Sequence, residues 1–246
     1  MSPQVQTLHF DGFGRRLRAW NAEQKVSFRI NEVCETCNSE WLSDLETRSE
    51  RVLTPLMTSS QRVAVPPSDQ RIIEEWVLKM ALVSQATQRE HLRIFQRDQY
   101  RQFREHGNVA PLATRAYIAS YAEPKGPFMT HTTWTPLRVE DMRFPSDPEA
   151  EELVTSTFVI GHFVAQLCVA KTHGGDEATV PWVLEPHWTL SVRQLTGRST
   201  DIRWPIVPPL RTVAELMFFA SRDDIRVRQQ LYPRRLLVTR RRPRSR

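Results

Sequence analysis

Residues 33–46, VCETCNSEWLSDLE, decide how the first part of the chain is organised. Cys34 and Cys37 form a Cys-x-x-Cys turn, and its two-residue spacer lets both thiolates reach one tetrahedral metal ion. From Trp41 onward apolar residues recur at helical spacing, and Ser39 stands before them as a candidate N-cap. The stretch therefore predicts a cysteine knuckle that leads directly into a helix.

The knuckle supplies only two of the four ligands that a closed zinc site needs. The remaining candidates are Cys168 and seven single histidines, none of which lies at ligand spacing from another. Three interpretations of the cysteine pair stay open on the residues alone. The pair could be a metal half-site, a reduced pair without metal at a strand-helix turn, or a redox dithiol.

The composition is that of an ordinary globular protein. The 246 residues suffice for one large domain or two small ones, and 40% of them are apolar and 25% charged. These values exclude a mainly disordered chain, a collagen and a coiled coil. No apolar run approaches the ~20 residues that span a bilayer, residues 1–8 lack the apolar core of a signal peptide, and three cysteines do not make a secreted disulfide framework. We therefore expect a cytoplasmic protein without a membrane partner.

The positive charge is concentrated at one end of the chain. The seven arginines of residues 234–246 exceed the formal net charge of +6 by one, so the rest of the chain carries −1. Such a tail can bind DNA or another polyanion, and Arg240, Arg241 and Arg242 are the candidate contacts. The alternative interpretation is a solvated chain terminus.

Hydrophobic periodicity predicts an α+β fold. Helical spacing continues to about residue 56, resumes after Pro66-Pro67 with Ser68 or Asp69 as the cap, and returns at 97–106 and 213–222. Strands are expected at 114–121, 128–136, 153–170 with a bend at Gly161, and 182–194. The predicted architecture is a partial ββα-metal-like zinc knuckle followed by helices and a mostly antiparallel sheet. The predicted domains are a knuckle with its helix (1–57), an α+β domain (58–232) and a disordered arginine-rich tail (233–246).

The knuckle resembles a segment of one family of HNH-endonuclease-like proteins, whose usual form is Val-Cys-x-x-Cys-Asn-x-Gly-Trp-Met-x-x-Leu-Glu. The matching residues are Val33, Cys34, Cys37, Asn38, Trp41, Leu42, Leu45 and Glu46. Further along, Trp76 and Lys79 are similar to a tryptophan and a lysine in the family's second helix. Residues 157–161 and 202–205 are similar to its sheet and to the Trp-Pro that follows.

The resemblance implies a metal-dependent nuclease knuckle. In such a site a histidine activates water, and Mg²⁺ or Mn²⁺ stabilises the departing oxygen of a phosphodiester. The resemblance implies that Cys34 and Cys37 bind a structural Zn²⁺ and that Asn38 lies near the catalytic metal. It also implies that Trp41 and Leu45 pack the helix against the preceding hairpin.

The first half of the family's motif has no counterpart here. The 33 residues before Cys34 contain no cysteine and one histidine, His9, and Glu40 stands where the family has a glycine. The pair Glu90-His91 follows the knuckle and is assigned no role. We therefore expect a truncated or degenerate HNH-like protein with weak or absent cleavage.

The alternative from a different class is a non-enzymatic protein that binds nucleic acid or protein. In this hypothesis two chains form a homodimer and contribute four thiolates to one zinc at the two-fold axis.

Overall fold

The predicted α+β class is confirmed. The structure is a computed structural model that describes residues 5–10, 16–22, 39–59, 61–86, 93–109, 112–122, 129–136, 152–171, 190–195 and 200–220. In these ranges helices are combined with antiparallel strands, as the sequence predicts. None of the helices described is long and apolar enough to cross a membrane. The predicted zinc knuckle precedes residue 39 and lies outside the described residues.

In the described ranges three helices precede a five-stranded sheet in the chain, and a fourth helix follows it. The helices are α1 (Trp41–Thr58), α2 (Pro67–Ala86), α3 (Arg97–His106) and α4 (Val213–Ala220). The strands are β1 (Val5–Phe10), β2 (Arg16–Ala22), β3 (Val63–Val65), β4 (Ala113–Ser120), β5 (Met129–Pro136), β6 (Glu152–Ile160), β7 (Phe163–Lys171), β8 (Val192–Gln194) and β9 (Ile202–Trp204).

The helix starts correct two predicted caps. The first intrahelical bond of α1 runs from the Asp44 N–H to the Glu40 carbonyl at 2.9 Å, so the N-cap is Glu40 and the prediction of Ser39 is wrong. Helix α2 begins at Pro67, which places the predicted caps Ser68 and Asp69 inside the first turn. Proline is well suited to the first helical position, because its fixed φ is helical and the N–H it lacks would have no partner there.

Helix α3 matches its predicted bounds. It ends at Gly107, whose φ of 68° lies in the left-handed region that a non-glycine residue adopts only with strain. The Gly107 N–H donates to the Phe103 carbonyl at 2.9 Å and closes the last turn.

The main sheet has five antiparallel strands in the order β5-β6-β7-β4-β8. Strands β4 and β5 lie where the sequence places them. The predicted single strand at 153–170 is wrong, because the chain reverses at Gly161 and forms the β6–β7 hairpin. Gly161 has a φ of 58°, and a Cβ there would overlap the Met57 carbonyl oxygen at the end of α1. Glycine therefore makes a turn here and not a bend.

Two short ribbons accompany this sheet. Strands β1 and β2 pair with a register shift between His9 and Phe10. Strands β3 and β9 pair as a second ribbon, in which Val63 lies opposite Trp204 and Val65 opposite Ile202. We refer to this pair as the β3–β9 ribbon. Of the predicted strand at 182–194 the structure describes residues 190–194. Within them β8 begins at Val192.

Both faces of the five-stranded sheet are buried. One face packs on α1, α2 and α3 through a large apolar cluster, and the other packs on α4 through a smaller one. The large cluster joins Leu56 of α1 to side chains of α2, α3 and the sheet. The predicted domain boundary after residue 57 stays a prediction, and so does the disordered tail, which lies outside the described residues.

Candidate functional site

A cluster of three polar contacts joins α1 to α2, and its innermost member centres on Glu46. Trp76 and Lys79 are three residues apart on α2 and therefore lie on the same face of the helix. The Trp76 Nε1–H donates to Glu46 Oε2 at 3.3 Å, and the Lys79 ammonium forms an ion pair with Glu46 Oε1. Each carboxylate oxygen of Glu46 thus has one donor from α2. We refer to these three residues as the Glu46 junction.

Burial changes the acid–base chemistry of this junction. The Lys79 side chain is 11% exposed, whereas the Glu46 side chain is 50% exposed. Removal of the ammonium from water lowers the pKa of Lys79 from 10.5 to about 8, although the nearby carboxylate favours the charged form. The lysine amine is therefore the more weakly hydrated member of the pair, and its proton is held less firmly than that of a surface lysine.

A cleft of about 620 Å³ lies beside the junction, between α1, α2 and the end of α3. Trp41 and Phe103 form an edge-to-face pair in its wall, with ring centroids 5.3 Å apart. Arg48 and Glu75 face each other across 3.5 Å, and both side chains are more than one third exposed. The cleft combines aromatic and charged groups, and it adjoins the end of α1 that directly follows Asn38 in the sequence.

The structure describes only part of the predicted site. Cys34, Cys37 and Asn38 lie outside the described residues. The same holds for the candidate nucleic-acid contacts Arg240, Arg241 and Arg242, and for the Glu90-His91 pair. Their predicted roles stay predictions.

The resemblance also names residues that the structure does describe. Leu42 and Leu45 are buried against the core, and Trp41 contacts Phe103 of α3, which the sequence did not predict. Glu46, Trp76 and Lys79 come together, and this contact was not predicted from the sequence. A usable signal was present, because Lys79 interrupts the apolar run of α2 and so requires a buried partner.

Two of the other candidate metal ligands have side-chain partners in the described residues. Cys168 is fully buried in β7, and its thiol lies 3.8 Å from Gln166 Oε1. His162 Nδ1 is hydrogen-bonded to the Tyr121 carbonyl at 2.8 Å. Throughout the ranges that the structure describes, no group of three or more His, Cys, Asp or Glu side chains could hold a metal ion.

No family model, no curated protein and no solved structure matches the chain.

Proposed function

We propose that this chain is an HNH-endonuclease-like protein that binds nucleic acid and cleaves phosphodiesters weakly or not at all. The Glu46 junction is the observation that carries the proposal. Its three residues belong to two separate segments that resemble the HNH family, and about 30 residues lie between them in sequence. Their contact supports the view that both segments resemble the family because they pack against each other.

The junction lies close in sequence to the predicted knuckle. Helix α1 begins at Trp41, three residues after Asn38, and Glu46 lies in its second turn. A knuckle that holds metal ions needs a rigid support, because the ligands act only at fixed distances and angles. The two contacts of Glu46 fix α1 against α2 only nine residues after Cys37 in the sequence, and in this proposal they supply that support.

We infer weak cleavage from the catalytic groups of the family's motif that these 246 residues do not include. A nuclease of this type needs a general base beside its metal, and loss of that base costs roughly 10²–10⁴ in rate. No second cysteine pair and no Glu-His precede Cys34 within the chain. Lys79 is a poor substitute, because its amine is paired with Glu46 and its side chain is 11% exposed.

Nicking of supercoiled DNA in the presence of Mg²⁺ or Mn²⁺ tests the proposal. We expect nicking near the level without protein, with no difference between wild type and Asn38→Ala. Gln61→Ala, at an exposed position after α1, is the matched control. Fast cutting that disappears in Asn38→Ala but persists in Gln61→Ala would support the family and refute weak activity.

The second candidate is the non-enzymatic protein with a zinc half-site shared by two chains. It is favoured by the burial of Cys168, which removes the third cysteine from any shared site with Cys34 and Cys37. This candidate requires one zinc per dimer, with both zinc and dimer lost in Cys37→Ala and retained in Cys168→Ala. Native mass together with metal content decides it, and a zinc-free monomer rejects it.

A further inference from the structure

A second cleft, of about 870 Å³, lies beside the β3–β9 ribbon and is distinct from the Glu46 junction. Arg203 comes from β9, Arg62 directly precedes β3, and Arg193 comes from β8 at the edge of the five-stranded sheet. Asp201 is the one acidic residue among the described lining residues. We refer to this feature as the arginine cleft. Three guanidinium groups from distant parts of the chain thus share one concave surface.

The pleat of the ribbon explains why the arginines face outward. Val65, Ile202 and Trp204 are buried, so the alternate positions lie on the exposed face. Ala64 is directly opposite Arg203, and Arg62 is two residues before Ala64. Arg62 and Arg203 are therefore diagonal neighbours, at a distance that long side chains bridge easily. The methyl group of Ala64 leaves room between them.

The arginines of the cleft differ in how they are held. The Arg193 Nη1–H group donates to the Leu190 and Val192 carbonyls, each at 2.9 Å, which holds this side chain at the wall. Arg62 and Arg203 are exposed, and neither forms an ion pair with any other residue in the described ranges. One carboxylate faces three guanidinium groups, so the cleft has an excess of positive charge.

We propose that the arginine cleft binds the phosphodiester backbone of a nucleic acid through Arg62, Arg193 and Arg203. The guanidinium fork matches two phosphate oxygens, which favours arginine over lysine at phosphate contacts. Trp204, the aromatic residue in the described lining, is 1% exposed and offers no face on which a base could stack. The cleft therefore offers the backbone positive charge and offers a base no stacking surface.

This inference rests on the proposed function for the identity of the polyanion. The two can nevertheless fail separately. Affinity that is lost only with the arginines of the tail would overturn the cleft and leave nucleic-acid binding by the chain intact, whereas wild type that binds no duplex would overturn both. Cleavage is measured on its own by the nicking assay.

Salt-dependent binding of a fluorescent DNA duplex by the full chain is the test. Each phosphate contact releases counterions, so the slope of log K against log salt is about −0.9 per contact. For the double variant Arg62→Gln, Arg203→Gln the slope should therefore be less negative by about 2. The variant should bind the duplex roughly 30-fold more weakly than wild type at 0.15 M salt. Asp201→Asn should bind more tightly, because it removes the acidic group of the cleft.

The matched control is Arg51→Gln, Arg101→Gln, which removes the same charge from α1 and α3. Both side chains are more than 60% exposed and lie outside the cleft lining. The control should keep the wild-type slope. Arg62→Lys, Arg203→Lys keeps the charge but not the fork, so it should restore the slope while affinity stays below wild type. The same unfolding midpoint in all variants shows that they fold.

Three results would overturn the inference. The first is that the cleft variant binds like its control and affinity is lost only when Arg240, Arg241 and Arg242 are changed to Gln, which would assign all binding to the tail. The second is that wild type does not bind the duplex at low salt. The third is that the cleft variant loses affinity for polyglutamate and not for DNA, which would assign the cleft to an acidic protein partner.

Discussion

On the face of the five-stranded sheet that packs against α1–α3, strand β7 contributes Phe163, Ala165 and Leu167. On the opposite face, below α4, the same strand contributes Val164, Gln166 and Cys168. All of these side chains are almost completely buried. The first set is apolar and is stabilised by packing alone, whereas the second includes a side-chain amide that must find hydrogen-bond partners in the core.

The partners of each face show what the difference means. The Phe163 ring packs between Trp76 of α2 and Trp204 of β9, with centroids 6.4 and 6.0 Å away. The Gln166 amide donates to Thr157 Oγ1 at 3.0 Å and to the Phe219 carbonyl at 3.1 Å. Apolar packing tolerates small shifts of a neighbour, but a buried hydrogen bond fixes distance and direction. The amide therefore fixes the position of α4 on its face more narrowly than apolar contacts alone would.

The largest effect is expected at the β6–β7 turn, where it contacts the end of α1. Gly161→Ala places a Cβ against the Met57 carbonyl and forces a side chain into a left-handed φ. It also disturbs the hydrogen bond from the His162 N–H to that carbonyl. We expect a loss of about 3 kcal/mol in the free energy of unfolding, measured by urea denaturation.

Gly107→Ala is the control for this change, because Gly107 has a similar positive φ but a Cβ there would meet only Glu75 Oε1 at 3.8 Å. It should cost about 1 kcal/mol, the conformational penalty alone. Equal losses in the two variants would show that the contact with Met57 contributes nothing.

The next effect concerns the hydrogen bonds of Gln166, on the face of the sheet that packs on α4. Gln166→Met fills a similar volume but leaves the Phe219 carbonyl and Thr157 Oγ1 without their donor, at a cost of about 1–3 kcal/mol. Adding Thr157→Val removes one of these groups, so the double variant should lose less stability than the sum of the two single variants. Additive losses in urea denaturation would contradict the proposed hydrogen-bond network.

The last effect concerns the ion pair of Lys79 and Glu46 and is expected only at alkaline pH, with none at pH 7. The pKa of Lys79 is about 8 in the folded chain and 10.5 in its ordinary state. Between these pH values the unfolded chain binds up to one proton more than the folded chain. The free energy of unfolding should therefore rise with pH. Lys79→Met should lack this rise in urea denaturation at several pH values. The same slope in both proteins would show that Lys79 is not the titrating group.

Much of the fold was predictable because its signals are local. Helix α3 was predicted residue for residue, since Gly107 ends it and its polar face has helical spacing. Strand alternation located β4 and β5. The β6–β7 hairpin was predicted as one strand, because the two apolar runs on either side of Gly161 look continuous in sequence. What separates them is the Met57 carbonyl, more than a hundred residues earlier in the chain.

The candidate site divides in the same way. The sequence singled out Glu46, Trp76 and Lys79 one by one through a resemblance, but it did not predict their contact. It located a concentration of positive charge in the tail at residues 234–246. Arg62, Arg193 and Arg203 are scattered in sequence, and only the pairing of β3 with β9 and the place of β8 bring them to one cleft.

The sequence by itself determined the α+β class, most helix positions and the Cys-x-x-Cys pair at Cys34 and Cys37. These follow from backbone periodicity and from spacing, which act over a few residues. Only the tertiary structure decided that Glu46 receives two donors from α2, that Gln166 reaches the carbonyl of Phe219, and that the arginine cleft exists. Each of these depends on which strands and helices pack together and in what register, and that is set by the whole core and not by any single segment.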